Sequence, residues 1–314
     1  MSPAAVIPAS IHEEEEESKR VCVMDASGRL GSSLVESLLQ RNYIVHAAVS
    51  TYGNLQPLKG LASCLNNKKL KIFETDPFDY ESIINALKDC SALFYTFETP
   101  QEQPIFDEFM PEIEVRAAHN VLEACAQTDT MEKVIFTSSV TAVIWGEDHK
   151  STTADEELSE RNWSDVNFCK KFKLWHGLSK TLAEKTAWAL AVDRGVNMVS
   201  INAGLLVGPE ISMKTSYLKG AAEMYEDGVL VTVDLKFLVD AHICVSEDIS
   251  SYGRYLCFNH VVNRPDDAVE FAKMLTPSTE TTTLSAATSY EDLGIFEQRI
   301  GNKKMNKLMV DYKN

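Results

Sequence analysis

The stretch Val21-Cys22-Val23-Met24-Asp25-Ala26-Ser27-Gly28-Arg29-Leu30-Gly31 decides the fold. Its first four residues are all apolar and read as a short buried strand. The segment Arg29 to Gln40 repeats leucine at 30, 34, 38 and 39, the spacing of one helix face. Between strand and helix lies a turn with glycines at 28 and 31. At that spacing Gly28 lets a pyrophosphate approach backbone amides at the positive end of the helix, and Gly31 lets helix and strand pack closely. The head of such a turn calls for a further glycine, and here it holds Asp25, preceded by Met24. Aspartate tolerates the dihedrals of a tight turn but sets a carboxylate near two phosphates, and Arg29 is the cation at hand to offset it. The candidate phosphate-binding segment is thus Asp25, Ala26, Ser27, Gly28, Arg29, Leu30 and Gly31.

Outward from this unit, apolar runs and helical patterns alternate. Strands are expected at Tyr43 to Val49, Leu70 to Glu74, Ala92 to Phe97, Lys133 to Ser138 and Val196 to Asn202. Helices are expected from about Tyr80 to Lys88, from Ile105 to Gln127 and around Lys180, the last after a loop-rich stretch ending at Lys171. Strict alternation implies an α/β, Rossmann-type, doubly wound parallel sheet. Beyond Gly208 the pattern loosens. Helical segments (Met213 to Glu226, Phe237 to Ser246, Asp266 to Leu275) mix with a short strand, Arg254 to Phe258. The expected organisation is a disordered acidic extension over 1–18, a dinucleotide-binding domain over 19–207, and a smaller substrate lobe over 208–314, partly interleaved with it. The polar tract Thr276 to Thr283 is expected as a surface loop.

Composition narrows the function. The chain has 314 residues, 45% hydrophobic and 24% charged, as an ordinary globular protein does. A net charge of −16 argues against nucleic acid and anionic membrane as partners, since both are gripped through clustered Lys and Arg. Seven scattered cysteines form no CxxC pair, so neither a disulfide framework nor a metal site is indicated, and a reducing compartment is implied. Met1 to Arg20 carries the run Glu13 to Glu17 and no apolar leader, which makes the cytoplasm the expected location.

After the second strand, an acid would hold the ribose hydroxyls of NAD and an Arg the 2′-phosphate of NADP. The chain has Val49-Ser50-Thr51-Tyr52, with neither. The missing acid tilts the expectation to NADP(H), with Ser50 near the phosphate; NAD(H) stays open. Asp76 and Pro77, after the third strand, are placed for the adenine.

The stretch Lys173-Leu174-Trp175-His176-Gly177-Leu178-Ser179-Lys180-Thr181-Leu182-Ala183-Glu184-Lys185 resembles the catalytic helix of the short-chain dehydrogenases/reductases. In that helix a Tyr and a Lys four residues apart project from one face. Here the Lys is Lys180 and its partner is His176. Further segments narrow the resemblance: Val134 to Val143 (VIFTSSVTAV), Asp155-Glu156, Trp163-Ser164-Asp165, Phe168-Cys169, Ala187-Trp188, Ile201-Asn202, Gly208-Pro209 and Gly253 to Cys257 (GRYLC). Together they resemble the plant cinnamoyl-CoA reductase and dihydroflavonol reductase group of extended short-chain dehydrogenases, over roughly Val21 to Phe258.

That resemblance implies an NADPH-dependent reductase of phenylpropanoid-type carbonyls or thioesters, with a small phenolic molecule as substrate or ligand. By position Ser139 matches the serine that hydrogen-bonds the substrate carbonyl. Lys180 matches the lysine that holds the nicotinamide ribose and lowers the donor's pKa. Thr96, Phe97 and Glu98 fall where the family contacts the nicotinamide half of the cofactor, and Ala203, Gly204, Leu205 and Leu206 where backbone meets the carboxamide. The chain departs from the family at His176 for Tyr, Asp25 for the first Gly, Ser50 for the NADP-selecting Arg and Ala203 for Pro. It also lacks the Asn-Trp-Tyr-Cys-Tyr-Gly-Lys signature. Trp163, Trp175 and Trp188 are expected as packing anchors, and His242 and His260 as structural histidines.

Hydride reduction of a carbonyl needs a proton at the developing alkoxide. Tyr supplies it from a phenol whose pKa a neighbouring Lys pulls down from about 10. A histidine starts near 6.5, and the same cation pushes it lower. Losing a general acid costs on the order of 10²–10⁴-fold in rate, whereas proximity and the Ser139 hydrogen bond survive. Two functions follow: a slow reductase using His176 (or water) as donor, or an inactive member that binds a nucleotide or phenolic ligand and acts through a protein partner.

Overall fold

The computed structural model describes residues 19–50, 55–64, 68–97, 107–147, 157–209, 211–212, 215–275 and 294–313. The expected acidic extension, Thr51, Tyr52, Glu98, Asp155, Glu156 and the tract 276–283 lie outside them.

The first unit forms as its sequence dictates: β1 (Arg20–Met24), a turn, then α1 (Arg29–Gln40). There follow β2 (Ile44–Val49), α2 (Gln56–Cys64), β3 (Leu70–Glu74), α3 (Tyr80–Leu87), β4 (Ala92–Tyr95), α4 (Met110–Ala126) and β5 (Lys133–Ser139). A 3₁₀ turn (Val140–Ala142) leads to α5 (Val166–Lys171), α6 (Trp175–Arg194), β6 (Met198–Ala203) and β7 (Leu205–Leu206). The remainder comprises a 3₁₀ turn (Ser216–Leu218), α7 (Ala221–Glu226), β8 (Val231–Val233), α8 (Leu235–Glu247), β9 (Gly253–Cys257), β10 (His260–Val261), α9 (Pro265–Leu275) and α10 (Lys303–Lys313).

Seven strands pair in the order β3-β2-β1-β4-β5-β6-β9, every pair parallel. The order reverses between β1 and β4, and doubly wound sheets bind ligands beyond the carboxyl ends of the strands at such a reversal. Both faces of the sheet are covered, which is why Val21–Met24 of β1 reads as an unbroken apolar run. Val21 and Val23 pack with Leu34 and Leu38 of α1, Ile243 of α8 and Met305 of α10. Cys22 and Met24 belong to the opposite layer, with Leu87 of α3, Ala118 and Leu122 of α4, and Ala187 of α6. A third cluster, around Trp145, Tyr217, Met224, Phe258 and Phe271, underlies a small sheet of order β10-β8-β7.

Several expected boundaries shift for local reasons. The long helix begins at Met110 rather than Ile105, with Pro111 in its first turn, where a missing N–H costs nothing. Strand β4 ends at Tyr95, not Phe97. The helix expected from Met213 to Glu226 is instead a 3₁₀ turn and α7, separated by Gly220 at φ 86°. A Cβ at Gly220 would lie 2.6 Å from the buried Trp145 ring, so both dihedral and contact require glycine there. The loop before Lys171 contains α5, whose Asp165 cap accepts from the Phe168 amide at 2.5 Å. After residue 208 the chain returns to the large sheet: β9 lies beside β6, and α8 and α10 pack under it.

Two buried polar clusters hold these layers in register. Lys133 Nζ donates to the carbonyls of Val245 (2.8 Å) and Asp248 (2.7 Å) and to Ser251 Oγ (2.6 Å), capping the end of α8 from β5. Glu184 of α6, fully buried, accepts from Ser138, Ser200, Asn202 and Arg254 at 2.6–3.2 Å. Asn202 also donates to the carbonyl of Ser139 (3.2 Å), so this cluster fixes the end of β5. Among the described residues no helix is long and apolar enough to cross a membrane.

Candidate active site

The phosphate turn keeps the geometry of its motif despite Asp25. Asp25 sits at φ 59°, the left-handed conformation that glycine adopts freely and aspartate adopts at a cost. The Gly28 amide donates to the Asp25 carbonyl (3.1 Å), closing the turn. A Cβ at Gly31 would run into that same carbonyl and lie 2.8 Å from Ala26 Cα, so the close approach of helix and strand depends on this glycine. Helix α1 starts from Gly28 with no side-chain cap and no acidic residue in its first turn, which suits a phosphate at its positive end. Arg29 reaches across to donate to the carbonyl of Val207, in the loop after β7. These residues fit a dinucleotide pyrophosphate, with Asp25 the one unfavourable charge in the turn.

The other candidate cofactor residues gather along the same edge. Ser50 is exposed at the end of β2, and Asp76 is exposed after β3, its Oδ1 accepting from the Phe78 amide (2.8 Å). The Pro77 carbonyl accepts from Asn120 (3.0 Å). Thr96 is buried and donates to the Met24 carbonyl (2.7 Å), tying β4 to β1 at the reversal point. Ala203 pairs in register with Ser139, and Gly204, Leu205 and Leu206 run on from it. A Cβ at Gly204 would lie 3.0 Å from the Val231 carbonyl, so this glycine lets the two sheets meet.

Ser139, His176 and Lys180 converge at the end of β5. Ser139 Oγ accepts from the Thr141 amide (3.2 Å) and lies 3.0 Å from the Thr141 hydroxyl, which lies 2.9 Å from Nδ1 of His176. A hydroxyl carries one proton, so this chain has two directions. Either Nδ1–H donates to Thr141 and Thr141 to Ser139, or Ser139 donates to Thr141 and Thr141 to Nδ1, leaving the proton on Nε2. Gly177 allows the helix to come this near, because a Cβ there would lie 2.8 Å from Trp145 and 3.0 Å from the Thr141 carbonyl. The half-buried His176 ring tilts against Tyr217, centroids 5.7 Å apart. Burial, then the Lys180 charge, push its pKa down to about 3, so the imidazole is neutral near pH 7.

Lys180 is engaged by a residue the sequence did not single out. Its ammonium lies 2.5 Å from Glu114 Oε1 and donates to the Phe97 carbonyl (3.3 Å), with the Phe97 ring 5.9 Å away. Glu114 is only 2% exposed. The sequence signal was present: Glu114 shares the buried face of α4 with Ala117, Ala118 and Val121, where a lone carboxylate needs a partner. Thr141 was also missed, because its hydroxyl meets His176 only after the 3₁₀ turn brings it round. Of the tryptophans, Trp163 stacks under the Arg254 guanidinium at 3.6 Å and Trp188 lies 3.3 Å from Ser200 Oγ. Among the described residues, no three His, Cys, Asp or Glu side chains gather as a metal site.

Comparison with known proteins places these features. Residues 22–188 match the 3-beta hydroxysteroid dehydrogenase/isomerase family. The chain is 34% identical over 259 residues to cinnamoyl-CoA reductase 1 of Petunia hybrida, covering 78% of this chain and 74% of that protein. It is 33% identical over 262 residues to dihydroflavonol 4-reductase of Arabidopsis thaliana, covering 78% and 66%. The crystal structure of vestitone reductase from alfalfa superposes with a TM-score of 0.67 at 25% identity, covering 92% of this chain and 91% of that one. The chain belongs to the cinnamoyl-CoA reductase-like and dihydroflavonol reductase-like group of extended short-chain dehydrogenases/reductases.

Proposed function

We propose that the chain is a slow nicotinamide-dependent reductase of phenylpropanoid-type carbonyls or thioesters, preferring NADP(H), with His176 in the proton-donor position. The observation that carries this is the unbroken Ser139–Thr141–His176 hydrogen-bond chain beside Lys180 at the end of β5. A bound dihydronicotinamide supplies the hydride. Ser139, hydrogen-bonded to the carbonyl, passes its proton to the developing alkoxide while Thr141 refills Ser139 and Nδ1–H of the neutral His176 refills Thr141. Solvent returns a proton at Nε2, so the ring stays neutral, and the product is an alcohol. The rate is low because this donor is a weaker acid than a lysine-activated phenol. NADP(H) is favoured by the absence of an acid at Ser50, where a 2′-phosphate meets a hydroxyl and no like charge.

A second function, a non-catalytic member that binds a nucleotide or phenolic ligand and acts through a protein partner, is favoured by one observation: Lys180 is already paired with Glu114. Nicotinamide oxidation with cinnamaldehyde-type and cinnamoyl-thioester substrates separates the two. The reductase should turn over with NADPH in preference to NADH. Ser139→Ala should slow it by at least about tenfold with cofactor affinity unchanged. Cofactor binding without any hydride transfer would leave the second function standing.

A further inference from the structure

We propose that Glu114 is a positioning residue that holds Lys180 in a buried ion pair and so weakens, without cancelling, the charge the lysine presents to position 176, so that a phenol placed there would be activated only in part. This rests on the reductase site described above and concerns the charge that surrounds its proton donor.

Helices α4 and α6 lie against each other, and Glu114 and Lys180 meet between them. Glu114 Oε1 takes the ammonium at 2.5 Å, and the Phe97 carbonyl takes a second N–H at 3.3 Å. The other carboxylate oxygen of Glu114 is buried with no hydrogen-bond partner, and so is the hydroxyl of Tyr95 on β4. A buried carboxylate lacking its cation would be costly, so Glu114 and Lys180 hold each other in place. The groups facing His176 include the Thr141 hydroxyl from the first 3₁₀ turn, the Tyr217 ring from the second and Lys180 one helical turn along. Glu114 is thus the carboxylate in contact with the lysine.

The sign of the lysine's effect depends on what stands at position 176. A bare ammonium lowers a phenol from about 10 toward neutrality, which makes it a better acid at pH 7. The same charge lowers an imidazole away from neutrality and serves no purpose. A carboxylate against the ammonium turns a monopole into a dipole whose field fades over a few ångströms. Restoring tyrosine alone would therefore restore only part of the lysine's action on it; the rest requires that Glu114 also be neutralised.

The test titrates a phenol and needs neither cofactor nor substrate. In His176→Tyr, ultraviolet difference spectra against His176→Phe report ionisation of the introduced phenol. With Glu114 in place the phenol should ionise at a higher pH than with Glu114 neutralised. Adding Glu114→Gln should lower that pKa by at least about one unit, a tenfold gain in acidity, and adding Lys180→Met to both should cancel the gain. Glu114→Leu, an apolar replacement, should reproduce the Gln result and covers the case in which Gln disturbs the helix pair. Equal phenol pKa values with and without Glu114 in folded protein, or a drop that persists without Lys180, would overturn the proposal. Because hydride transfer is not read, that failure would leave the reductase assignment to its own assay.

Discussion

Thr141 Oγ1 stands 2.9 Å from Nδ1 of His176 and 3.0 Å from Ser139 Oγ, so one hydroxyl joins the proposed substrate-binding serine to the proposed proton donor. Its removal should be felt in rate and not in binding. Thr141→Val should lower hydride transfer on the order of tenfold or more while the cofactor dissociation constant stays put. Thr141→Ser should retain activity. The pH profile sharpens this. With the imidazole pKa down at about 3, an imidazolium donor would lose about tenfold in rate per pH unit across the neutral range. A neutral relay predicts a flat profile between about pH 5 and 8 from this group. A steep loss across that range would sink the relay.

Asp25 occupies the head of the phosphate turn at φ 59°. Asp25→Gly removes a carboxylate from the turn and supplies the residue that holds this conformation without strain. Calorimetric titration with NADPH should show binding tightened several-fold. An unchanged or weaker dissociation constant would mean that the carboxylate contributes to the turn more than it repels phosphate.

His242 gives the fold an acid-sensitive point away from the site. Its Nδ1 donates to the Leu238 carbonyl (2.7 Å), its Nε2 accepts from the Thr137 hydroxyl (2.8 Å), and burial pulls its pKa down to about 4. Between that value and the unfolded value near 6.5, the unfolded chain binds a proton that the folded chain does not. Stability therefore falls as pH drops through this window, by up to about 1.4 kcal/mol per pH unit from this one group. His176, held down to about 3, adds a decline of the same sign. Denaturant unfolding at a series of pH values should show a shallower acid decline in His242→Gln. An identical slope in both proteins would refute the assignment.

The sheet and its helices were legible where a single periodicity ran uninterrupted. Helix α1 and strand β3 fall on the residues the pattern predicts, because each lies between clear turn signals. The small sheet and the elements beside it were less legible. Its strands β7 and β10 are two residues long, too short for alternation to register, and α7 is cut short by Gly220. In the site, Ser139, His176 and Lys180 stand out by local motif. Glu114 and Thr141 do not, since their partners are 66 and 35 residues away in sequence. The exchange at position 176 was visible at once; the charge and hydroxyl that accompany it emerge only when α4, α6 and the 3₁₀ turn are packed together.

The central claim is that His176 delivers the proton in a working, if slow, reductase. Single-turnover oxidation of NADPH by a cinnamaldehyde-type substrate, in the wild type and in His176→Phe at saturating cofactor, tests it most directly. The account predicts measurable turnover by the wild type and a loss on the order of a hundredfold or more in the variant, with cofactor affinity preserved. Equal rates in the two proteins, or no hydride transfer from a wild type that binds NADPH, would contradict it.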